Sequence, residues 1–271
     1  MKRNALHLQL RQFKESFPSD SKFYLKFTVF LCLCIKDLLV IHNLLYNKTQ
    51  LHQEVCGMKN IKHVVWDWNG TLLDDIDVSM EALNWILKKE KLPLVLDKSE
   101  YRKYFQFPVI EYYKKVGFDF EKTPFPVLAE EYMRYYQPHS MECSLHEGVT
   151  EMLGELRKRG LRQYLLSASN LSFLHEQLNN YDIKDYFEQI RGLDNIQAHS
   201  KAELAKHFVK ENHLNPNEVV FIGDSVHDSE VAKGAGCHCI LIANGHEDKE
   251  KLKRTGCLVV DHISECRDIL H

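Results

Sequence analysis

The sequence VVWDWNGT, residues 64–71, decides the fold of this chain. Its first three residues are large and apolar, and the five that follow combine an acid, an amide, a glycine and a hydroxyl around one tryptophan. A short apolar run that ends in a glycine-containing turn is typical of a strand buried on both faces. The stretch therefore predicts a buried strand whose carboxyl end carries the polar sequence DWNGT.

From residue 145 onward, apolar runs alternate with amphipathic segments. Strands are predicted at 164–166, 219–222, 239–243 and 258–260, and helices near 149–160, 171–180, 201–208 and 228–235, with a further helix at the C-terminus. Such alternation is typical of a parallel sheet with helices on both faces. The predicted fold class is therefore α/β, a Rossmann-like parallel sheet flanked by helices.

Residues 77–139 are predicted to form a helical insertion between the first strand and the rest of the α/β core. Apolar residues repeat at spacings of 4, 3 and 4 on one helix face, at Ile76, Met80, Leu83 and Leu87. Aromatic residues and prolines between 99 and 138 indicate further short helices. We accordingly predict an α/β core formed by residues 58–76 and 140–271, with residues 77–139 as a separate helical domain.

The first 57 residues differ from the rest in charge. They hold eight Lys or Arg and four acids, a net of +4 in a chain of net charge −3. Segment 23–46 is apolar, but its longest uncharged run has 9 residues, whereas a membrane helix needs roughly 20. Met58 precedes a polar lead into the first strand and reads like a natural start. We expect residues 1–57 to be an upstream extension; a membrane-associated helix is the less favoured alternative.

The composition argues against several function classes. A net charge of −3 offers no basic surface for nucleic acid. Eight cysteines in 271 residues, with no CxxC pair, fit neither a disulfide scaffold nor a zinc ribbon. We expect a cytoplasmic protein, and the sequence does not indicate an oligomeric state.

Acidic residues follow two of the predicted strands, where the ligand site of a parallel sheet lies. Asp67 and Asp224 would form an oxygen-rich site of the kind that Mg²⁺ prefers. Asp228 lies about one helical turn beyond Asp224 and would face the same crevice. These three carboxylates predict a magnesium site.

Phosphate-binding groups are expected around the same crevice. The backbone N–H groups of Gly70 and Thr71 suit an anionic oxygen. Ser167, at a strand end, would add a hydroxyl donor, and Lys201, at a helix start, a positive charge. Each residue alone is equally well a cap or a solvated side chain. Their occurrence together and in this order indicates a phosphate site.

Four motifs in this order resemble those of the haloacid dehalogenase superfamily. They are DWNGT at 67–71, Ser167, Lys201 within HSK at 199–201, and GDSVHD at 223–228. The resemblance covers residues 58–271. Segments 105–109, 117–119, 192–196 and 243–246 are similar to those of phosphoglycolate-phosphatase-like members. The resemblance implies that the helical insertion is a cap domain that closes on the substrate.

The resemblance also implies a mechanism, the Mg²⁺-dependent hydrolysis of a small phosphorylated metabolite. Asp67 would attack phosphorus and form an aspartyl-phosphate, which splits the reaction into two steps. The implied Mg²⁺ ligands are Asp67, the backbone carbonyl of Asn69, Asp224 and Asp228. The implied phosphate-binding residues are Gly70, Thr71, Ser167, Ala168 and Lys201.

Asn69 departs from the family pattern, which has an aspartate there that protonates the leaving oxygen and then activates water. An amide cannot transfer a proton in that way, and such help is worth about 10²–10⁴-fold in rate. Three readings stay open. The protein is a slower phosphatase in which Asp74, Asp75, a histidine or water substitutes; it acts on good leaving groups; or it binds phosphometabolites with little or no turnover. A phosphotransferase such as a sugar-phosphate mutase would also need the missing acid.

Overall fold

The computed structural model of this protein describes residues 58–193 and 200–270. The predicted extension at 1–57, with its apolar segment 23–46, lies outside the described residues, as do positions 194–199 of the quoted segments. Within the described ranges, every helix is too short or too polar to span a lipid bilayer.

Six parallel strands form one sheet in the order β5-β4-β1-β6-β7-β8. They are β1 (His63–Trp66), β4 (Arg162–Asn170), β5 (Gln189–Leu193), β6 (Val219–Gly223), β7 (His238–Ile242) and β8 (Leu258–Val260). A separate antiparallel pair consists of β2 (Leu73–Asp74) and β3 (Ser144–Leu145). The predicted α/β fold class is thus confirmed.

Strand β1 lies between β4 and β6, and this position assembles the site. Trp66 pairs with Leu165 of β4 and with Ile222 of β6. The residues that follow these three partners therefore emerge side by side at one edge of the sheet. All four residues of β1 are buried, because helices cover both faces of a parallel sheet.

Five helices lie along the core sequence. They are α5 (Val149–Lys158), α6 (Leu171–Leu178), α7 (Lys201–Glu211), α8 (Val226–Ala235) and α9 (Lys249–Lys253). One apolar core joins Val64 and Trp66 to α5 and α6. A second joins Val65 to α7 and α8 on the opposite face. Alternate residues of β1 thus pack against helices on opposite faces of the sheet.

Residues 76–140 form four helices with a core of their own. They are α1 (Ile76–Lys89), α2 (Lys98–Tyr104), α3 (Val109–Lys115) and α4 (Phe125–Ser140). Leu83 and Leu87 of the predicted helix face are buried there beside Tyr101, Tyr112 and Tyr113. The aromatic residues that punctuate this sequence are therefore mainly packing residues.

The structure differs from the sequence predictions at several places, among them β5, β4 and the C-terminal segment. Strand β5 was not predicted, because QIRGL at the sheet edge contains a glycine and an arginine and lacks a continuous apolar run. Strand β4 runs past Ser167 to Asn170, with a shift in register after Leu166. The predicted C-terminal helix is a short 3-10 segment, Ile263–Asp268.

Candidate active site

A lysine between two carboxylates forms the floor of the site. Lys201 Nζ lies 2.5 Å from Asp67 Oδ1 and 2.6 Å from Asp228 Oδ1. Lys201 is buried, as the first residue of α7, and the Ser200 hydroxyl caps that helix by accepting from Glu203 N–H. Burial disfavours the ammonium charge, but the two carboxylates outweigh it and raise the pKa of Lys201. The lysine is therefore held charged at the end of β1.

Asp228 is fixed by the turn that connects β6 to α8. Its Oδ2 accepts from the Ser225 hydroxyl at 2.6 Å and from the backbone N–H of Ser225 at 3.1 Å, in a reciprocal capping box. Burial opposes ionisation, yet the Lys201 charge and these bonds lower the pKa of Asp228. Asp228 consequently helps to position Lys201.

Three aspartates can hold a cation together. Carboxylate oxygens of Asp67, Asp224 and Asp228 lie within 4.8 Å of one another. Burial raises the pKa of Asp67 to about 6 and that of Asp224 to about 7, and neighbouring carboxylates add to both shifts. Buried carboxylates that are short of positive charge favour a hard divalent cation such as Mg²⁺. The donor set therefore fits the predicted metal.

Two glycines make room for Asp224. A Cβ at Gly70, whose φ is +70°, or at Gly245 would overlap the Asp224 carboxylate. The Thr71 hydroxyl donates to Asp224 Oδ1 at 3.2 Å, and the backbone N–H of His246 donates to Oδ2 at 2.5 Å. The loop after β1 and the loop after β7 thus close around one carboxylate.

The backbone N–H groups of Gly70 and Thr71 both donate within the protein, so the phosphate-binding role that the sequence suggests for them stays a prediction. Gly70 N–H donates to Asp75 Oδ1 at 2.8 Å and Thr71 N–H to the Trp68 carbonyl at 3.2 Å. Both donors are used because the turn folds back on itself before α1. These two residues shape the loop and hold Asp224, and we leave them out of the phosphate site proposed below.

Ser167 and Ala168 line the cavity, as the sequence predicted for strand-end residues. The Ser167 oxygen accepts from the backbone N–H of Ser169 at 3.1 Å. A hydroxyl that accepts one bond keeps its own proton to donate. The Ser167 hydroxyl can therefore donate to a ligand in the cavity.

Asn69 is held in a network of polar side chains. Its amide nitrogen donates to the Tyr136 hydroxyl at 2.6 Å and to Asp75 Oδ2 at 3.1 Å. Its oxygen accepts from the Ser169 hydroxyl at 2.8 Å. These contacts determine which end of the amide faces which partner. At this position the structure has a fixed hydrogen-bond donor beside a carboxylate.

Asp75 and His246 form a buried ion pair beside Asn69, with His246 Nε2 3.1 Å from Asp75 Oδ1. Burial opposes both charges, but each charge stabilises the other. The pKa of Asp75 is lowered to about 2, and that of His246 is raised to about 9. The other ring nitrogen of His246 lies 3.0 Å from the Tyr101 hydroxyl of α2. From the sequence, Asp75 is only a possible substitute for the missing acid, and its pairing with His246 is seen only in the tertiary structure.

A cavity of about 310 Å³ opens above this floor. Its lining combines Asp67, Ser167, Lys201 and Asp224 with side chains from the helical insertion. Arg102 of α2 donates to the carbonyl oxygens of Asn244 and Gly245, each at 2.8 Å. The insertion therefore contacts the loop that carries His246.

A sequence model of the haloacid dehalogenase-like hydrolase family matches residues 64–242, more than half of the chain. The chain belongs to this family. The match spans all four motifs, from the strand before Asp67 to β7. The family and the hydrolase class predicted from the sequence are thereby confirmed.

Relatives of this hydrolase include named phosphatases. The phosphoglycolate phosphatase of Chromobacterium violaceum is 24% identical over 221 residues, which cover 79% of this chain and 98% of the relative. That of Vibrio vulnificus is 27% identical over 139 residues, which cover 50% of this chain and 61% of the relative. The predicted similarity to phosphoglycolate-phosphatase-like members is confirmed.

The solved structures agree on the fold. The haloacid dehalogenase-like protein SP0104 of Streptococcus pneumoniae superposes with a TM-score of 0.69 at 20% identity, over 78% of this chain and 99% of that one. This similarity shows that the α/β sheet and the helical insertion follow the architecture of known family structures.

Proposed function

We propose that this protein is a Mg²⁺-dependent phosphatase that hydrolyses a small-molecule phosphomonoester through an aspartyl-phosphate on Asp67. One observation carries the proposal. Lys201 lies between Asp67 and Asp228 at the floor of a cavity, next to a third carboxylate, Asp224. A nucleophile, a fixed cation and a metal-binding cluster within one crevice are the parts that phosphoryl transfer needs.

Asp67 is the proposed nucleophile. Its pKa of about 6 leaves the carboxylate mostly ionised at neutral pH. One carboxylate oxygen bonds to phosphorus while the bond from phosphorus to the leaving oxygen breaks. In the second step water attacks phosphorus and the bond to Asp67 breaks, which restores the carboxylate. One proton of the water stays on the released phosphate, and the other passes to solvent.

Lys201 and Ser167 are the proposed phosphate-binding side chains, with Ala168 beside them. An ammonium group has three N–H donors. Lys201 uses two of its donors to bind Asp67 and Asp228. The third is available for a transferring oxygen. Ser167 donates its hydroxyl proton from the neighbouring strand. Together they stabilise the negative charge of the transferring group.

Mg²⁺ is the proposed cofactor, held by Asp67, the backbone carbonyl of Asn69 and Asp224, with Asp228 beside them. When bound, the ion neutralises phosphate charge and aligns the transferring group with the nucleophile. The raised pKa values of Asp67 and Asp224 support this assignment, because a cation relieves the cost of burying both charges.

We propose that the helical insertion acts as a cap that limits the access of water during the reaction. The contacts of Arg102 with the loop at 244–245 support this role. The proposed partner is a small phosphorylated metabolite in the cytoplasm.

The alternative is a phosphometabolite-binding protein with little or no turnover. The orientation of Asn69 favours it, since an amide that donates to Asp75 and Tyr136 supplies no proton to a leaving group. We rank the phosphatase first because the pair of Asp67 and Lys201 is intact.

Hydrolysis of para-nitrophenyl phosphate with Mg²⁺ tests the proposal. We expect turnover by the parent protein, at least a thousandfold loss in Asp67→Asn, and parental rates in Asp77→Asn, an exposed control. Intact-mass analysis must show Asn69 unchanged, because Asn-Gly sequences deamidate. Turnover by Asn69→Asp alone would support the binding protein. If neither form turns over, the phosphatase proposal fails.

A further inference from the structure

The lining of the cavity includes a group of apolar and aromatic side chains. Phe105, Phe107, Val109, Met133 and Phe173 line it, and we call these five residues the apolar wall. The rings of Phe105 and Phe107 meet edge to face with centroids 5.5 Å apart. Phe107 and Met133 remain 39% and 36% exposed. Apolar side chains that line a cavity and stay accessible favour an apolar ligand surface.

The described part of the cavity offers no uncommitted cation for a second anionic group. Among its described lining residues the basic side chains are Lys201, His227 and His246. Lys201 binds two carboxylates, and His246 pairs with Asp75. His227 has its Nδ1 3.5 Å from Glu230 and its ring centroid 4.9 Å from that of Phe107. A substrate carboxylate beside the apolar wall would be desolvated without a free cation to pair with, which is costly.

Asn69 restricts the leaving group independently of the apolar wall. Without a proton donor at this position, the leaving oxygen departs carrying its electron pair as an anion. Phenols stabilise that anion far better than aliphatic alcohols do. The chemistry of Asn69 and the apolar lining of the cavity therefore both favour a phenol as the leaving group.

We propose that the substrate is an aryl phosphate, the phosphomonoester of an uncharged phenol whose ring lies against the apolar wall. This inference rests on the proposed phosphatase function and narrows it. The bond from phosphorus to the phenolic oxygen breaks, the phenolate leaves with the electron pair, and Asp67 takes the phosphoryl group. Water then releases phosphate as described above, and the phenolate takes its proton from solvent.

Inhibition by non-hydrolysable phosphonates tests the apolar wall separately from chemistry. Phenylphosphonate and phosphonoacetate share the phosphonate and differ in a ring or a carboxylate. We expect phenylphosphonate to bind at least tenfold more tightly. Phe107→Ala should reduce that preference by about tenfold, because one aromatic contact is lost. Leu96→Ala, an 83% exposed residue of the same insertion outside the cavity lining, is the matched control and should keep the preference.

A series of substituted phenyl phosphates tests the leaving-group argument. We expect kcat/KM of the parent protein to fall steeply as the pKa of the phenol rises. Asn69→Asp should flatten that dependence and raise turnover of phosphoglycolate by about 10²–10⁴-fold. Equal inhibition by the two phosphonates, or hydrolysis of phosphoglycolate as fast as phenyl phosphate, would overturn the aryl assignment while leaving the phosphatase intact. If neither the parent protein nor Asn69→Asp hydrolyses any of these esters, the proposed phosphatase function is overturned.

Discussion

The amide nitrogen of Asn69 donates to Asp75 Oδ2 at 3.1 Å, so position 69 faces a buried carboxylate. The same oxygen accepts from the Tyr136 hydroxyl at 2.6 Å. An amide satisfies both neighbours without adding charge. An aspartate in its place would bring a second carboxylate to within hydrogen-bonding distance of Asp75. Asparagine at position 69 therefore fits its surroundings electrostatically, because it places no second negative charge beside Asp75.

From this relationship we predict the stability of Asn69→Asp. The new carboxyl group beside Asp75 should have a raised pKa, because two close negative charges repel. A group with a raised folded-state pKa stabilises the fold below its unfolded pKa, and this contribution is lost as pH rises through the folded value. Urea unfolding should therefore show a loss of about 1–3 kcal/mol at pH 8 and a smaller loss at pH 5. A loss that is the same at both pH values would contradict the prediction.

The ion pair of Asp75 and His246 predicts a second pH dependence. His246 has a pKa raised from 6.5 to about 9, so its contribution is complete below pH 6.5 and disappears as pH rises through about 9. We expect His246→Gln to lose on the order of 3 kcal/mol of unfolding free energy near pH 6 and much less at pH 9.5. Urea unfolding with a chelator present measures both values. His207→Gln, an exposed control, should follow the parent protein, and a constant deficit in His246→Gln would refute the ion pair.

Stabilisation by Mg²⁺ should depend on pH. The pKa values of Asp67 and Asp224 are raised to about 6 and about 7, so the metal-free fold loses stability as these groups ionise with rising pH. Mg²⁺ binds the ionised carboxylates, and its affinity should drop about tenfold or more between pH 8 and pH 5.5. Thermal unfolding with and without Mg²⁺ checks this. Asp224→Asn should abolish the shift in Tm, whereas an equal shift at both pH values would argue against this cluster as the metal site.

A pair of glycine substitutions separates backbone strain from damage to the site. Gly70 and Gly160 both have positive φ, +70° and +82°, so alanine costs about 1–2 kcal/mol at either position. Only a Cβ at Gly70 would overlap Asp224 and His246, since nothing lies within 4 Å of one at Gly160. Mg²⁺ titration of the folded variants should show lost affinity in Gly70→Ala alone. Equal Mg²⁺ affinity in both variants would show that the close packing of Gly70 against Asp224 is not needed for Mg²⁺ binding.

Local patterns predicted the sheet and the charged floor of the site. The apolar run before Asp67 and the one before Gly223-Asp224 indicated buried strands, and β1 and β6 are those strands. Ser200 was predicted as a helix cap from its type and position, and its hydroxyl accepts from Glu203 N–H. These features depend on residues near one another in the chain. These features could therefore be predicted without the tertiary structure.

Other features depended on contacts that local patterns do not encode. Strand β5 pairs at the sheet edge, where its short mixed sequence gives no strand signal. The hydrogen bond from the Gly70 N–H to Asp75, five residues away, was not predicted from the sequence. The DWNGT motif suggests an anion site at that N–H only if the loop stays open toward the cavity.

What the sequence determined by itself is the parallel sheet and the carboxylates at its strand ends, because the strand period and the strand-end position are local properties. Only the tertiary structure decided what surrounds Asn69. Asp75 follows it closely in the chain, but Tyr136 reaches Asn69 from 67 residues away, and His246 reaches Asp75 from 171 residues away. Side chains so far apart in sequence meet only when the insertion packs against the core, so their hydrogen bonds and pKa shifts exist only in the folded chain.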